Sequence, residues 1–243
     1  ITGGNQYETN ANVMSFGNKN KYYFLTSLNN TGVDVSGDIS YVVSPNRFSE
    51  PGTLGNDQKA SSLLYLTGYN FGLKQERVNF NNVELLSLNS IFNLSPKIKL
   101  KVLGLLKTDD NDFFRQGFDT YFLGEQTFTN TEDYKLRKNS LTGFGQIDLT
   151  YNISSRAMLK YTGKYNKTRE DTKTNLDFNE EFTTEFLEER NELIDHKAVY
   201  SNKFKENKDL VLTGRFIEEL KPQNYRVSHL FIEDLFPEIG EIS

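Results

Sequence analysis

The chain has no cysteine and no tryptophan, and only two histidines, His196 and His229, among 243 residues. Without cysteine there is no disulfide, no thiol nucleophile and no zinc–thiolate site. Two histidines are too few for a histidine-rich metal centre. No stretch approaches the roughly 20 apolar residues that a spanning helix needs, which leaves a β-barrel as the only membrane option. The net charge of −5 gives no reason to expect a nucleic-acid partner. No HExxH, phosphate loop, CxxC or nucleophile elbow is present, so no catalytic constellation is assigned and no cofactor is expected.

What is present is aromatic and polar: 13 Tyr and 19 Phe, with many Asn and Thr. This composition suits strands joined by polar turns. Residues 83–107, VELLSLNSIFNLSPKIKLKVLGLLK, set the pattern. Leu86, Leu88, Phe92 and Leu94 share one face of a first strand. Ile98, Leu100, Val102 and Leu106 share one face of a second. Ser87, Asn89 and Asn93, then Lys97, Lys99 and Lys101, take the opposite face. Period-two alternation marks strands with one apolar side, and Ser95-Pro96-Lys97 supplies the turn.

Three more hairpins follow the same grammar. In residues 12–28, Asn18-Lys19-Asn20 turns the chain, and Tyr22, Phe24 and Leu28 lie opposite Tyr23, Ser27 and Asn29. In residues 139–165, Leu141, Ile147, Leu149, Tyr151 and Ile153 alternate with polar residues up to a turn at Ser154-Ser155. Ala157, Leu159, Tyr161 and Tyr165 then share the apolar face with Gly143, Gly145 and Gly163. In residues 197–216 the turn is Glu206-Asn207-Lys208, with Tyr200 and Phe204 before it and Leu210, Leu212 and Phe216 after it. Each of the four turns is short and carries a basic residue. The connections at the other end, residues 30–82, 108–138 and 167–195, are expected to be long loops, with a short helix or strand at residues 61–68. Short turns at one end and long loops at the other describe an outer-membrane barrel.

The stretches KYYFLTSLNN from Lys21, SLNSIFNLSPKIKLKVLGLLKTDDNDF from Ser87 and GQIDLTYNISSRAMLKYTGKYNKTRED from Gly145 resemble the barrel portion of TonB-dependent outer-membrane receptors of the Bacteroidota type. The likeness extends over nearly the whole chain and is one of grammar rather than of an invariant motif. It implies an all-β, antiparallel up-and-down transmembrane β-barrel, with about eight strands here belonging to a larger barrel. It also implies transport: uptake across the bacterial outer membrane of a nutrient bound by extracellular loops. The partners it implies are outer-membrane lipid, a plug domain, an energy-coupling protein and a surface lipoprotein or other outer-membrane subunit. The chain departs from the family in showing no plug or coupling box and in ending EIGEIS rather than on an aromatic strand, so both ends are expected to be internal. Two other readings stay open. One is a structural or assembly-associated barrel whose loops bind proteins. The other is a soluble secreted carbohydrate-binding β-sandwich.

The sequence names no binding residues. Asp109, Asp110 and Asp112 resemble a calcium loop but lack the glycine and distal glutamate of an EF-hand, and read better as a solvated loop. His196 precedes a strand and has no companion ligand. Lys99, Lys101, Lys160, Lys164 and Arg215 either line a basic lumen or pair with acids on neighbouring strands. Phe178, Phe182 and Phe186 have helical spacing and would line one face of a loop helix, or else belong to strand extensions.

Overall fold

The structure is a computed structural model that describes residues 6–32, 80–124, 126–205 and 208–229. Residues 61–68, most of the 30–82 connection and the turn residues Glu206 and Asn207 lie outside the described residues. Nine strands form one antiparallel sheet: β1 (Glu8–Phe16), β2 (Asn20–Asn29), β3 (Phe80–Ser95), β4 (Ile98–Leu123), β5 (Gln126–Asn152), β6 (Ala157–Phe178), β7 (Glu181–Lys205), β8 (Lys208–Leu220) and β9 (Gln223–Val227). The order is β1 to β8 in sequence, an up-and-down meander, with β9 returning to β7. β1 and β8 are the two ends of this path, so the described sheet is open.

β8 and β9 are one strand in all but name. Leu220 pairs with Glu192 and Gln223 with Glu189, so the register runs on unbroken across Lys221 and Pro222. The Arg190 amide still donates to the Pro222 carbonyl at 3.1 Å. Proline has no amide to return the bond, which is why the ladder is interrupted there.

The turns explain themselves chemically. Ser95 Oγ accepts from the amides of Lys97 (3.2 Å) and Ile98 (3.1 Å). Ser154 Oγ accepts from those of Arg156 (3.2 Å) and Ala157 (3.0 Å). The same side-chain-to-backbone device thus closes both hairpins. At the opposite end, Asn179 and Glu180 have φ of 53° and 70°. Two successive left-handed residues are what a two-residue hairpin turn requires.

That turn overturns one expectation. The spans 108–138 and 167–195 are not long loops: β4 runs to Leu123 with Gly124 in a turn and β5 starts at Gln126, and β6 and β7 meet at a turn at residues 179–180. Their ladders continue through Leu123↔Gln126 and Phe178↔Glu181. Asp, Asn and Thr in this region lower strand propensity, but cross-strand pairing decides. Phe178, Phe182 and Phe186 lie in strands rather than a helix, and pairing puts Phe178 on the face opposite to the other two.

The registers hold one parity across the sheet. The row Tyr22–Ser90–Val102–Ile147–Gly163–His196–Phe216 is bonded strand to strand. The apolar sets named from the sequence fall on that face wherever the ladders pair them; Leu94 and Phe204 sit at register shifts and Ile153 lies past the end of β5. The row Lys21–Ile91–Lys101–Asp148–Thr162–Lys197–Arg215 lies on the other.

Burial follows the faces and inverts the usual order. Leu86, Leu88, Leu106, Leu141, Ile147, Leu212 and Phe216 on the apolar face are exposed, whereas Gln146, Asn166, Thr172, Thr174 and Asp195 on the polar face are buried. No second layer covers either face among the described residues, so the sheet itself must shield the polar side. A single sheet does this by curling toward it. The polar face is therefore inner and concave, and the apolar face outer and convex. A small apolar cluster, Leu85, Leu105 and Phe144 with Leu25 and Leu103 beside it, fills part of the inner curve.

The strands are also staggered. Asn93 donates to the carbonyl of Lys19 in the β1–β2 turn, Asn152 to Lys97 in the β3–β4 turn, and Lys203 to Arg156 in the β5–β6 turn. Each hairpin thus projects two or three residues past the one before it. A regular stagger of this kind is the shear of strands tilted to a barrel axis.

The ladder through the former loop spans is directly testable. Arg137 and Lys173 are register partners with exposed side chains. Arg137→Cys with Lys173→Cys should form a disulfide readily on mild oxidation, whereas Arg137→Cys with Asn175→Cys should not. Equal yields for the two pairs, read as mobility shifts on gels, would place the segment in a loop.

Candidate functional site: the inner face of the sheet

The inner face is polar near the short turns, where two carboxylates, Asp148 and Asp195, are held by neighbouring side chains. Asp148 accepts from Gln146 Nε2 at 2.7 Å and from Thr162 Oγ1 at 2.8 Å. Its register partner Lys101 stands beside it on the next strand. Both carboxylate oxygens are engaged by neutral donors. Asp195 is held differently. Arg215 grips it through two bonds of 2.8 Å, from Nε and Nη2, with side-chain exposures of 11% and 9%. A forked guanidinium on a shielded carboxylate is the strongest kind of ion pair that side chains offer. It ties β7 to β8.

Of the basic residues singled out in the sequence, Arg215 is therefore paired with a neighbouring strand, as one of the two readings required. Lys99, Lys101 and Lys160 are exposed on the same face and make no ion pair among the described residues. Lys164 lies one level above, opposite Asp195.

The other candidates do not assemble. Asp109 faces inward with Lys107 at 3.1 Å, whereas Asp110 and Asp112 face outward, and Asp112 lies 3.8 Å from Arg137. Alternating faces prevent the three carboxylates from converging on one ion. They belong to a strand, not to a solvated loop. Among the described residues no group of three or more His, Asp or Glu side chains is placed to hold a metal.

His196 lies on the outer face, its Nδ1 2.7 Å from the Tyr161 hydroxyl and its ring stacked between Tyr161 and Phe216. Gly163, its register partner, makes the room. A Cβ there would come within 2.8 Å of the Tyr161 hydroxyl. No local pattern hints at this pair, because its members are 35 residues apart.

Beyond the apolar rows the outer face turns charged. Arg169 and Arg190 stand directly opposite each other, an unfavourable pairing offset by acids on both sides. Glu188 lies 2.5 Å from Arg190 and 3.8 Å from Arg169, and Asp171 lies 3.1 Å from Arg169. The bond from Arg190, with the charges of Arg190, Arg169 and Arg226, holds the Glu188 carboxyl below the usual carboxylate range. Beside this network an open groove of about 360 Å³, bordered by Glu84, Asp110, Asn139 and Arg169, marks the boundary of the apolar rows. On the inner face, where β9 pairs with β7, burial and the 2.7 Å bond that Tyr225 donates to Glu185 push the phenol up to about 12.

Compared with known proteins, the chain matches no family model and no curated sequence.

The Asp195–Arg215 pair carries a quantitative expectation. Asp195→Ala strands a shielded guanidinium and should cost about 3 kcal/mol. Asp195→Leu with Arg215→Leu should cost clearly less, because no lone charge remains. Urea unfolding in detergent, followed by intrinsic fluorescence of tyrosine, reads both. A double variant no better than the single one would show that the pair is held for a reason other than charge compensation.

Proposed function

We propose that this chain forms part of the wall of an outer-membrane β-barrel transporter that takes up a nutrient ligand. One observation carries the membrane reading: the sheet shields its polar face and exposes its apolar one. The outer face is free of charge over residues 86–94, 98–106, 141–151, 159–165, 194–204 and 210–216. Charges begin only at Glu84, Asp110, Arg137, Lys167, Glu192 and Glu218. A belt of this height matches the roughly 9–11 residues with which a tilted strand crosses a bilayer. Tyr22, Phe92 and Tyr151 border it at the turn end, and Tyr165 and Phe216 at the other, as aromatic girdles do. In water such a face would be an aggregation hazard.

The inner face supports the same reading. Ser27, Asn29, Asn166 and Asn191 each bury an oxygen that no protein group satisfies among the described residues. Each would cost about 1–3 kcal/mol in an apolar core, and nothing comparable in a wet interior. The soluble-sandwich reading needs a second sheet against the exposed apolar rows and inherits that cost. Uptake of a nutrient rests on the resemblance of the sequence to TonB-dependent receptors, as do the plug domain and energy-coupling partner.

A second reading is favoured by the length of the hairpins. From Thr108, β4 continues 16 residues to Leu123, which is on the order of 50 Å beyond the belt. Phe114, Phe118, Phe122 and Phe182 are exposed along this overhang. A barrel within an outer-membrane assembly, with the overhang gripping a partner protein, uses these features directly.

The membrane reading predicts unequal tolerance at adjacent positions. Leu100→Arg, on the outer face, should cost about 2–4 kcal/mol of folding free energy in lipid. Lys99→Leu, facing inward, should cost little. Equal tolerance at the two positions would remove the lipid-facing assignment.

A further inference from the structure

The inner face carries a basic girdle along neighbouring bonded rows of the sheet. The bonded row Lys21–Ile91–Lys101–Asp148–Thr162–Lys197–Arg215 crosses seven strands and holds four cations against one carboxylate. The row toward the turns adds Lys99 and Lys160, bridged by Thr150. The row on the far side adds Lys164 with Asp195. Three adjacent rows therefore hold seven basic side chains and two acids.

The two acids offset only part of this charge, since seven basic side chains face two carboxylates. Asp195 is taken by Arg215, and the oxygens of Asp148 are taken by Gln146 and Thr162. Lys21, Lys99, Lys101 and Lys160 remain exposed, with no acid within ion-pair distance among the described residues. Rows on one face lie about 6–7 Å apart and strands about 4.8 Å apart. The four ammonium groups thus ring a patch of the concave wall rather than converge on one point.

We infer that this girdle binds multivalent oxyanions, solutes bearing several phosphate or carboxylate groups, on the concave side of the sheet. Concave walls lined by one sign of charge focus the field and concentrate counter-ions. Rings of lysine are the means by which pores select phosphate-like anions. Lysine rather than arginine fits a site that attracts and releases. Its ammonium is a hydrated point charge on a flexible stem, without the fork that fixes an oxyanion in one pose. Thr150, between Lys99 and Lys160 in one row, offers a hydroxyl to the same oxygens. The inference needs only the curled sheet and its registers, so it stands or falls apart from the membrane assignment.

The test is calorimetric titration of the full chain in detergent with inorganic tripolyphosphate, at low and at physiological salt. Binding should weaken with salt. It should fall at least tenfold in the variant Lys99→Gln, Lys101→Gln, Lys160→Gln. It should survive in Lys99→Arg, Lys101→Arg, Lys160→Arg, which keeps the charge and controls for folding. An outer-face triple, Lys135→Gln, Lys167→Gln, Lys173→Gln, should bind as the unaltered chain does. Equal losses in the inner and outer glutamine triples would overturn the inference, as would no binding to the unaltered chain. Binding of hexaglutamate peptide without tripolyphosphate binding would also overturn it, by assigning the girdle to an acidic protein segment.

Discussion

Strand register is the constraint on which everything else depends. Seven successive antiparallel ladders, from β1–β2 to β7–β8, keep one parity, so each residue's face is fixed by its place in a bonded row. A slip of one residue in any ladder would carry a whole set of aliphatic side chains inward and its lysines outward. The serine-capped turns at Ser95 and Ser154 pin two of these registers at their start. The bidentate Asp195–Arg215 bridge locks a third from the inner side. The sheet therefore presents two chemically distinct surfaces, an uncharged apolar belt outside and a mixed, lysine-bearing face inside.

The separation of faces and the stagger of turns act together. Tilted strands curl a sheet, and curling shelters the side chains on the concave side. Here those include polar groups such as Thr174, Asn166 and Asp195. The convex side cannot cover itself, and it carries Leu86, Leu106, Ile147 and Phe216. Beyond the apolar belt the same ladders continue, but the outer face changes to crossed ion pairs around Arg169, Glu188 and Arg190. One backbone architecture thus carries two kinds of outer surface along its length, with the change marked by side-chain chemistry alone.

The sequence made the lower half of this legible and misread the upper half. Alternation was strong in residues 83–107 and 139–165, and the structure places Leu88, Leu100, Leu149 and Leu159 on the shared face that period two required. Above the belt the alternation disappears, because charged, polar and aromatic residues are interspersed on both faces there and no continuous aliphatic row remains to betray a strand. Asp109, Asp110 and Asp112 then resemble a loop, although pairing with Ser140, Asn139 and Arg137 holds them extended. The run Leu103-Gly104-Leu105-Leu106 broke the pattern for a reason only the fold reveals: Leu105 packs inward with Leu85 and Phe144 while Leu106 faces out. The pairing of Arg215 with Asp195 was one of two open readings, and register decided it. The Tyr161–His196 contact depends on a missing side chain at Gly163 and left no local trace.

On the proposed reading, the convex face meets hydrocarbon while the concave face meets water. Spin labels placed singly at Leu100, Leu149, Thr150 and Lys160, in a chain with no native cysteine, separate the two when the protein is reconstituted in bilayers. Collision with dissolved oxygen reports lipid, and collision with a water-soluble nickel chelate reports solvent. The account predicts high oxygen and low nickel accessibility at Leu100 and Leu149, with the reverse at their neighbours Thr150 and Lys160. Nickel accessibility at all four sites would contradict it.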